Sequence, residues 1–94
     1  MLIKSFVDRE TEKIWNGVPS RRFPRDMQDR ALRKLRQIDA ALTLDDLRNP
    51  PGNQLESLRG DRADQKSIRI NRQWRICFKW KDGEARDVEI VDYH

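Results

Sequence analysis

The sequence predicts an α+β domain in which helices near the N-terminus pack on an antiparallel sheet. Two observations support this fold class. Apolar residues recur at helical spacing in the first half of the chain, and they alternate with polar residues in short runs in the second half. Helices that precede a block of strands are typical of α+β proteins rather than of alternating parallel folds. With 94 residues, the chain is expected to form a single domain over residues 1–94.

Two helices are predicted in the first half of the chain. Residues 2–6 alternate and indicate a short strand before them. The first helix is expected over residues 9–16, because Asp8 suits an N-cap and Gly17 suits the position after a helix end. The second helix is expected over residues 24–41, with one apolar stripe formed by Met27, Ala31, Leu35, Ile38 and Leu42.

The second half of the chain indicates a sheet. Residues 43–47 predict a capped turn of helix, and residues 49–53 predict a loop. The pair Asp82-Gly83 indicates a tight hairpin. Strands are predicted over residues 54–58, 66–71, 74–80 and 86–91. The helices should cover the sheet face that carries Trp74, Ile76, Phe78 and Trp80, and they should leave the face with the arginines open.

Positive charge is concentrated between Arg59 and Lys81. The whole chain has a formal charge of +4, whereas this segment alone carries eight basic and two acidic residues. A field of this kind attracts polyanions such as nucleic acids. The alternative is a solvated face that only improves solubility, but here the charges fall on predicted strands rather than on the exterior of a helix.

Composition disfavours several classes of protein. One cysteine allows no internal disulfide, and Cys77 is expected to be a buried thiol in a reducing compartment rather than a nucleophile. One histidine and one cysteine are too few for a zinc site, no glycine-rich phosphate loop is present, and no cofactor is expected. No apolar run approaches the ~18 residues of a membrane span. The N-terminus does not look like a signal peptide either, so we expect a cytoplasmic protein.

Basic side chains of the predicted sheet could bind one phosphate together. Arg69 and Arg75 should share a face, with Lys79 and Lys81 farther along, because neighbouring strands lie roughly 4.8 Å apart. Arginine suits this role since its planar fork binds phosphate oxygens bidentately. The alternative is that these cations pair with carboxylates of the last predicted strand, namely Asp87 and Glu89.

The turn that follows the predicted strand over residues 54–58 could also bind phosphate. Arg59 and Arg62 bracket Gly60, which allows the backbone to turn tightly or to approach a ligand closely. Two arginines in this arrangement could clamp a backbone phosphate. The alternative is an ordinary charged turn in which Asp61 pairs with one of the arginines.

The chain ends in Asp92-Tyr93-His94. RNA cleavage requires a base for the 2′-hydroxyl, positive charge at the phosphorane and a proton for the leaving oxygen. A carboxylate, a histidine and arginines can supply these. A terminal histidine alone is more often a frayed tail, so His94 gains its weight from the predicted strand that precedes it.

The sequence resembles the HigB-type toxins, which are bacterial proteins of type II toxin–antitoxin modules in the RelE/ParE superfamily. The resemblance extends over nearly the whole chain, and it depends on four segments taken together. These are Leu58-Arg59-Gly60-Asp61-Arg62, Ser67-Ile68-Arg69-Ile70-Asn71, Gln73-Trp74-Arg75-Ile76-Cys77-Phe78 and Val88-Glu89-Ile90-Val91-Asp92-Tyr93-His94.

This resemblance implies a compact fold with helices against a curved antiparallel sheet, and cleavage of messenger RNA in the ribosomal A site without a metal. It also implies that a HigA-type helix-turn-helix antitoxin neutralises the protein. The protein would then contact operator DNA only indirectly, through this antitoxin. In the family's pattern, the catalytic residues fall on Arg59, Arg75, Asp92, Tyr93 and His94. The residues expected to contact RNA are Glu56, Arg62, Lys66, Arg69 and Lys79.

The resemblance also assigns roles. Arg75 would hold the scissile phosphate, Tyr93 would stack on or orient a base, and Asp92 and His94 would handle protons. Arg59 stands where some members have lysine, which keeps the charge but makes it a poor proton carrier. Glu56 stands where some members have histidine. Either His94 therefore takes more of the proton transfer, or Glu56 acts as the general base.

Two rival functions remain compatible with the sequence. A toxin of the same fold could poison another target such as gyrase, although the Asp-Tyr-His end argues against it. A basic module without enzymatic activity could bind nucleic acid or a partner protein, and charge alone would fit that function equally well.

Overall fold

The computed structural model describes residues 2–93 and has an α+β fold, as predicted. Helices precede a sheet whose strands are antiparallel and follow the chain order β1-β2-β3-β4. The helices are α1 (Arg9–Trp15) and α2 (Arg25–Ala40), and the strands are β1 (Glu56–Ser57), β2 (Gln65–Arg69), β3 (Trp74–Lys81) and β4 (Glu84–Asp92). No helix of the described residues has the length and apolar character that crossing a bilayer requires.

Both helices begin and end close to the predicted positions. The Asp8 carboxylate accepts a hydrogen bond from the Thr11 amide at 2.7 Å and so caps α1, and Gly17 follows its end with φ +75°. Helix α2 begins one residue after Pro24, which occupies the N-cap position rather than the first helical position. The prediction for Leu42 was wrong: the chain leaves the helix at Ala41, and Leu42 is 78% exposed.

The predicted N-terminal strand is reduced to two isolated bridges. Ile3 bridges Ala85 and Phe6 bridges Val88, both in parallel orientation along the edge of β4. The N-terminal segment and β4 do not form a continuous ladder of backbone hydrogen bonds, because β4 carries a β-bulge in this region. At this bulge, two residues of β4 face the single residue Phe78 of β3. Asp87 has a left-handed backbone at this point, with φ +51°. The segment before α1 is therefore tied to the sheet edge only at separate points.

The segment between α2 and the sheet is more ordered than predicted. The capped turn at Thr43 is confirmed, since its hydroxyl and the Asp46 carboxylate form a reciprocal capping box. The predicted loop over residues 49–53 instead ends in a short 3-10 turn, Pro51–Asn53. The strand predicted over residues 54–58 was too long, because only Glu56–Ser57 pair with β2. Gln54 adopts a left-handed conformation with φ +45°, so the backbone is not extended at this position before β1.

The core lies between the helices and one face of the sheet. The predicted apolar stripe of α2 is buried as far as Ile38, and it packs in the same cluster as Ile76 and Phe78 of β3. The prediction that the opposite face is open was wrong at its centre. Arg75 is only 6% exposed and Cys77 is fully buried.

Asn53 connects the segment before the sheet to helix α2. Its fully buried side-chain amide donates to Gln37 Oε1 at 3.0 Å and to two backbone carbonyls, those of Leu47 and Asn49. Its Oδ1 accepts a hydrogen bond from Lys34 Nζ at 2.5 Å. One side chain therefore satisfies polar groups of three successive segments.

Replacing Asn53 with alanine should lower the free energy of unfolding by about 2–4 kcal/mol, because it leaves buried carbonyl and amide groups without partners. Urea denaturation followed by circular dichroism measures this change. Asn16→Ala is the matched control, since Asn16 is an exposed residue at the end of α1 and its truncation should cost less than about 0.5 kcal/mol. Equal effects of the two substitutions would contradict the bridging role.

The buried thiol of Cys77 should be unreactive in the folded protein. Burial raises the pKa of Cys77 above its ordinary value, so the reactive thiolate is less populated in the native state than in the unfolded chain. Alkylation by iodoacetamide near pH 8 should be about tenfold or more slower for the native protein than in denaturant. Similar rates would mean that this face of the sheet is accessible.

Candidate functional site

Arg75 is held rigidly in the middle of the sheet. Its Nε donates to Ser67 Oγ at 2.9 Å, and its Nη2 donates to the Gln54 carbonyl at 2.5 Å and to the Ser67 carbonyl at 3.3 Å. Ser67 belongs to β2, whereas Gln54 precedes β1, so two other segments of the chain fix the guanidinium. Among residues 2–93, Nη1 has no hydrogen-bond acceptor, which leaves part of the fork available to a ligand.

The end of β4 brings Tyr93 to Arg75. The guanidinium carbon lies 5.7 Å from the centroid of the phenol ring, which is cation–π distance. The Tyr93 amide donates to the Gln73 carbonyl at 2.6 Å, so the backbone of this terminal segment is tied to the β2–β3 turn. Tyr93 is 41% exposed, and its ring can therefore contact both Arg75 and a ligand.

A cavity of about 290 Å³ is lined by Tyr93, the aromatic neighbour of Arg75. Its lining includes Glu56, Arg59, Arg62 and Tyr93. Glu56 is mostly exposed, and its Oε2 lies 3.9 Å from Nη2 of Arg75. The side chains of the first strand, of the following turn and of the chain end thus meet around one small space.

The turn after β1 explains why two arginines line the same cavity. Gly60 has φ +66°, a left-handed conformation that glycine adopts without steric cost. It opens the 3-10 turn Gly60–Arg62. Because residues three apart lie above one another in such a turn, Arg59 and Arg62 face the same side.

The two arginines differ in their electrostatic partners. Arg62 Nη1 lies 3.1 Å from Glu89 Oε1 and 2.9 Å from Gln65 Oε1, so a cross-strand ion pair already uses its charge. Arg59 is exposed and forms no ion pair with any other described residue. It is therefore the more available of the two cations for an incoming anion.

Two of the predicted site residues point away from Arg75. Register pairs Arg75 with Val91, so Asp92 lies on the opposite face of the sheet, where its carboxylate accepts from Gln73 Nε2 at 3.1 Å. Lys66 is adjacent to Ser67 in β2 and so faces the other side as well, where it donates to Ser57 Oγ at 2.9 Å. His94 lies outside the described residues.

Two further predicted cations are directed elsewhere. Lys79 Nζ lies 3.2 Å from Asp87 and 3.5 Å from Asp64, and the hydrogen bond to Asp87 is the main cause that raises the pKa of Lys79. This is the carboxylate pairing that the sequence left open as an alternative. Arg69 is the cross-strand neighbour of Arg75, but it lines a different cavity together with Arg30 of α2.

Sequence reasoning missed the two groups that orient Arg75. Ser67 could have been found, because it alternates with Ile68 and so shares the predicted arginine face. The contribution of Gln54 has no sequence signal, since its acceptor is a backbone carbonyl placed by a left-handed residue. The sequence likewise gave no sign that Arg75 itself would be buried.

This arrangement is suited to binding a phosphate. The exposed Arg59 and the ring of Tyr93 line the cavity, and the fixed guanidinium of Arg75 contacts that ring. Arginine forms strong charge-assisted hydrogen bonds with phosphate oxygens. The nearby Glu56 carboxylate adds a possible proton acceptor. Within residues 2–93, no group of three or more histidine, cysteine or acidic side chains is arranged to bind a metal ion.

Comparison with known proteins agrees with the geometry. Residues 4–94 match the family described as RelE-like toxin of type II toxin-antitoxin system HigB. The chain is 40% identical over 86 residues to Toxin HigB-1 of Vibrio cholerae, covering 90% of each chain. It is 31% identical over 93 residues to Endoribonuclease HigB of Proteus vulgaris, covering 99% of this chain and 100% of the relative. The match over almost the full length, together with the α+β fold, shows that this chain belongs to the HigB family of RelE-like toxins of type II toxin–antitoxin systems.

Proposed function

We propose that this toxin is an endoribonuclease that cleaves RNA at the cavity beside Arg75. The observation that carries the proposal is the guanidinium of Arg75, which Ser67 and Gln54 orient toward the ring of Tyr93. The proposal is supported by the name of the Proteus vulgaris relative, Endoribonuclease HigB, which spans the same length. Catalysis by oriented positive charge requires such a fixed donor, because a mobile one would have to reorganise as the reaction proceeds.

In the proposed reaction, the 2′-oxygen of a ribose attacks the adjacent phosphorus while the bond from phosphorus to the 5′-oxygen breaks. The products are a 2′,3′-cyclic phosphate and a free 5′-hydroxyl, and no oxidant or reductant is needed. Arg75 and Arg59 stabilise the charge that builds up on the phosphorane oxygens. Tyr93 stacks on a neighbouring base, since its exposed ring borders the cavity.

The proton transfers are assigned to Glu56 and His94. Glu56 takes the proton of the 2′-hydroxyl, because its carboxylate lies beside the guanidinium that would hold the phosphate. His94 returns a proton to the leaving 5′-oxygen, because it follows Tyr93 directly in the sequence. Arg59 cannot serve in either step, since its guanidinium stays protonated. Asp92 acts indirectly, by holding Gln73 and thus the turn to which Tyr93 is bonded.

A type II toxin has an antitoxin as its partner, and the family membership of this chain implies one. We propose that the antitoxin is a HigA-type helix-turn-helix protein, and that the toxin reaches operator DNA only through it. The proposed substrate is messenger RNA in the ribosomal A site, which would make the cytoplasm the site of action. These assignments follow the family resemblance of the sequence.

Arg75→Gln should reduce RNA cleavage by about a hundredfold or more, because it removes the fixed charge from the phosphorane. Cleavage of ribosome-bound messenger RNA, resolved by primer extension, measures this loss. The antitoxin should still be bound, as a pull-down with the co-expressed partner would show. Arg86→Gln is the matched control: Arg86 pairs with the neighbouring Glu84 at the β3–β4 hairpin, and it does not line the cavity.

Full cleavage by the Arg75→Gln variant would overturn the proposed site. Intact messenger RNA in the presence of wild-type protein, combined with inhibited gyrase, would instead support a toxin with a different target. Binding of RNA without cleavage would support a non-enzymatic module.

Replacing Glu56 with glutamine tests the general base. A carboxylate base works only when it is ionised, so the cleavage rate of the wild type should fall as the pH becomes acidic. In Glu56→Gln the rate should be lower by about 10²–10⁴-fold, and this acidic decline should disappear. Single-turnover cleavage across a range of pH measures both effects. If the decline persists in Glu56→Gln and disappears in His94→Ala, the base is His94.

A further inference from the structure

A basic groove runs between helix α2 and the turn that joins β2 to β3. Two neighbouring cavities form it, one of about 650 Å³ and one of about 290 Å³. Arg30 and Arg69 line both cavities, while Arg72 lines the larger and Arg33 the smaller. We define the basic groove by these four arginines. It shares no lining residue with the cavity of the candidate site.

Helix periodicity accounts for the α2 side of the groove. Arg30, Arg33, Lys34 and Gln37 follow the spacing i, i+3, i+4 and i+7, and therefore lie along one flank of the helix. This flank lies beside the buried apolar stripe and borders the sheet, while Arg30 and Arg33 themselves remain exposed to solvent. The arginines of α2 thus approach those of the β2–β3 hairpin from the opposite wall of the groove.

The charges of the groove lack counter-ions within the described part of the chain. Cations elsewhere form ion pairs with carboxylates, as Arg62 and Lys79 do. None of the ion pairs among residues 2–93 includes a groove arginine. The neighbouring Lys34 reflects the same imbalance: burial lowers its pKa, and the charges of Arg30 and Arg33 lower it further. An uncompensated cluster of this kind is suited to a polyanion.

The lining of the groove favours nucleic acid over an acidic protein segment. Protein interfaces usually need a buried aromatic or aliphatic anchor at their centre. None of the large exposed hydrophobic side chains in the described residues lines the groove; these are Val7, Val18, Leu42 and Tyr93. The groove instead offers several guanidinium forks with amide side chains, among them Gln73, and this combination suits the repeated charges of a phosphodiester backbone.

We propose that the basic groove binds the phosphodiester backbone of RNA at phosphates other than the scissile one. This inference extends the proposed function, because it adds an anchoring site for the same class of ligand. Arg69 is the cross-strand neighbour of Arg75, so the groove lies alongside the candidate site and one RNA can reach both. Binding there is independent of base sequence, since the contacts are made to phosphates.

The double variant Arg30→Gln/Arg33→Gln tests the groove. The probe is a 2′-O-methyl RNA oligonucleotide of mixed sequence, which lacks the attacking hydroxyl and cannot be cleaved. We expect its dissociation constant to rise about tenfold at moderate salt. The slope of log affinity against log salt should fall by roughly 1.4, about 0.7 for each lost phosphate contact. Fluorescence anisotropy over a series of salt concentrations measures both quantities.

Arg25→Gln/Arg36→Gln is the matched control. It removes the same charge from two exposed residues of the same helix, neither of which lines the groove. Both double variants change exposed residues, and thermal unfolding verifies that each is folded. The control should bind the probe within about twofold of the wild type.

Equal weakening by the two double variants would overturn the proposal, because it would indicate an effect of net charge alone. Unchanged RNA binding combined with weaker antitoxin binding would also overturn it and would assign the groove to the protein partner. Because the probe is not cleaved, this result is separate from the proposed catalysis. A wild type that binds the probe through the groove but cleaves no RNA would contradict only the proposed function.

Discussion

The hydrogen bonds that Arg75 makes to Ser67 and to the carbonyl of Gln54 hold two strands and the segment before the sheet in one arrangement. A buried charge is costly unless hydrogen bonds and a polar environment compensate for it. Here the compensation comes from neutral oxygens, and Glu56 approaches only from the exposed edge at 3.9 Å. The guanidinium therefore retains its positive charge toward the cavity, whereas a close bidentate carboxylate would neutralise it.

The distribution of ion pairs divides the cations of this chain into two groups. Some form ion pairs with carboxylates of β4, as Arg62 does with Glu89 and Lys79 does with Asp87. Others line cavities and form no ion pair with any described residue, as Arg59 does beside the site and Arg30 does in the basic groove. Because the second group forms no ion pair among residues 2–93, its charge remains available to an anion. The positive segment between Arg59 and Lys81 contains cations of both groups.

The two residues that precede His94 make different contacts. Successive residues of a strand point to opposite faces, so Asp92 and Tyr93 separate even though they are neighbours in sequence. Tyr93 joins Arg75, while Asp92 contacts Gln73 on the other side. The bond from the Tyr93 amide to the Gln73 carbonyl links these two sides. The Asp92 carboxylate and the Tyr93 amide thus both contact Gln73 of the β2–β3 turn.

The sequence by itself determined the fold class, the helices, the β3–β4 hairpin and the buried stripe of α2 as far as Ile38. These features follow from periodicity, caps and turn residues, which act over a few neighbouring positions. The same local rules failed at Leu42, where the backbone leaves the helix. They also failed before β1, where the left-handed Gln54 leaves a strand of only two residues.

Only the tertiary structure decided which charges meet. The pairing of β3 with β4 brought Lys79 to Asp87, and the pairing of β2 with β3 brought Ser67 to Arg75. Periodicity predicted the core-facing stripe of α2, but it did not predict that Arg30 on another face of this helix would meet Arg69 in the basic groove. Whether two charged side chains pair depends on the distance in space between residues that lie far apart in sequence. The periodicity of a single segment carries no information about that distance.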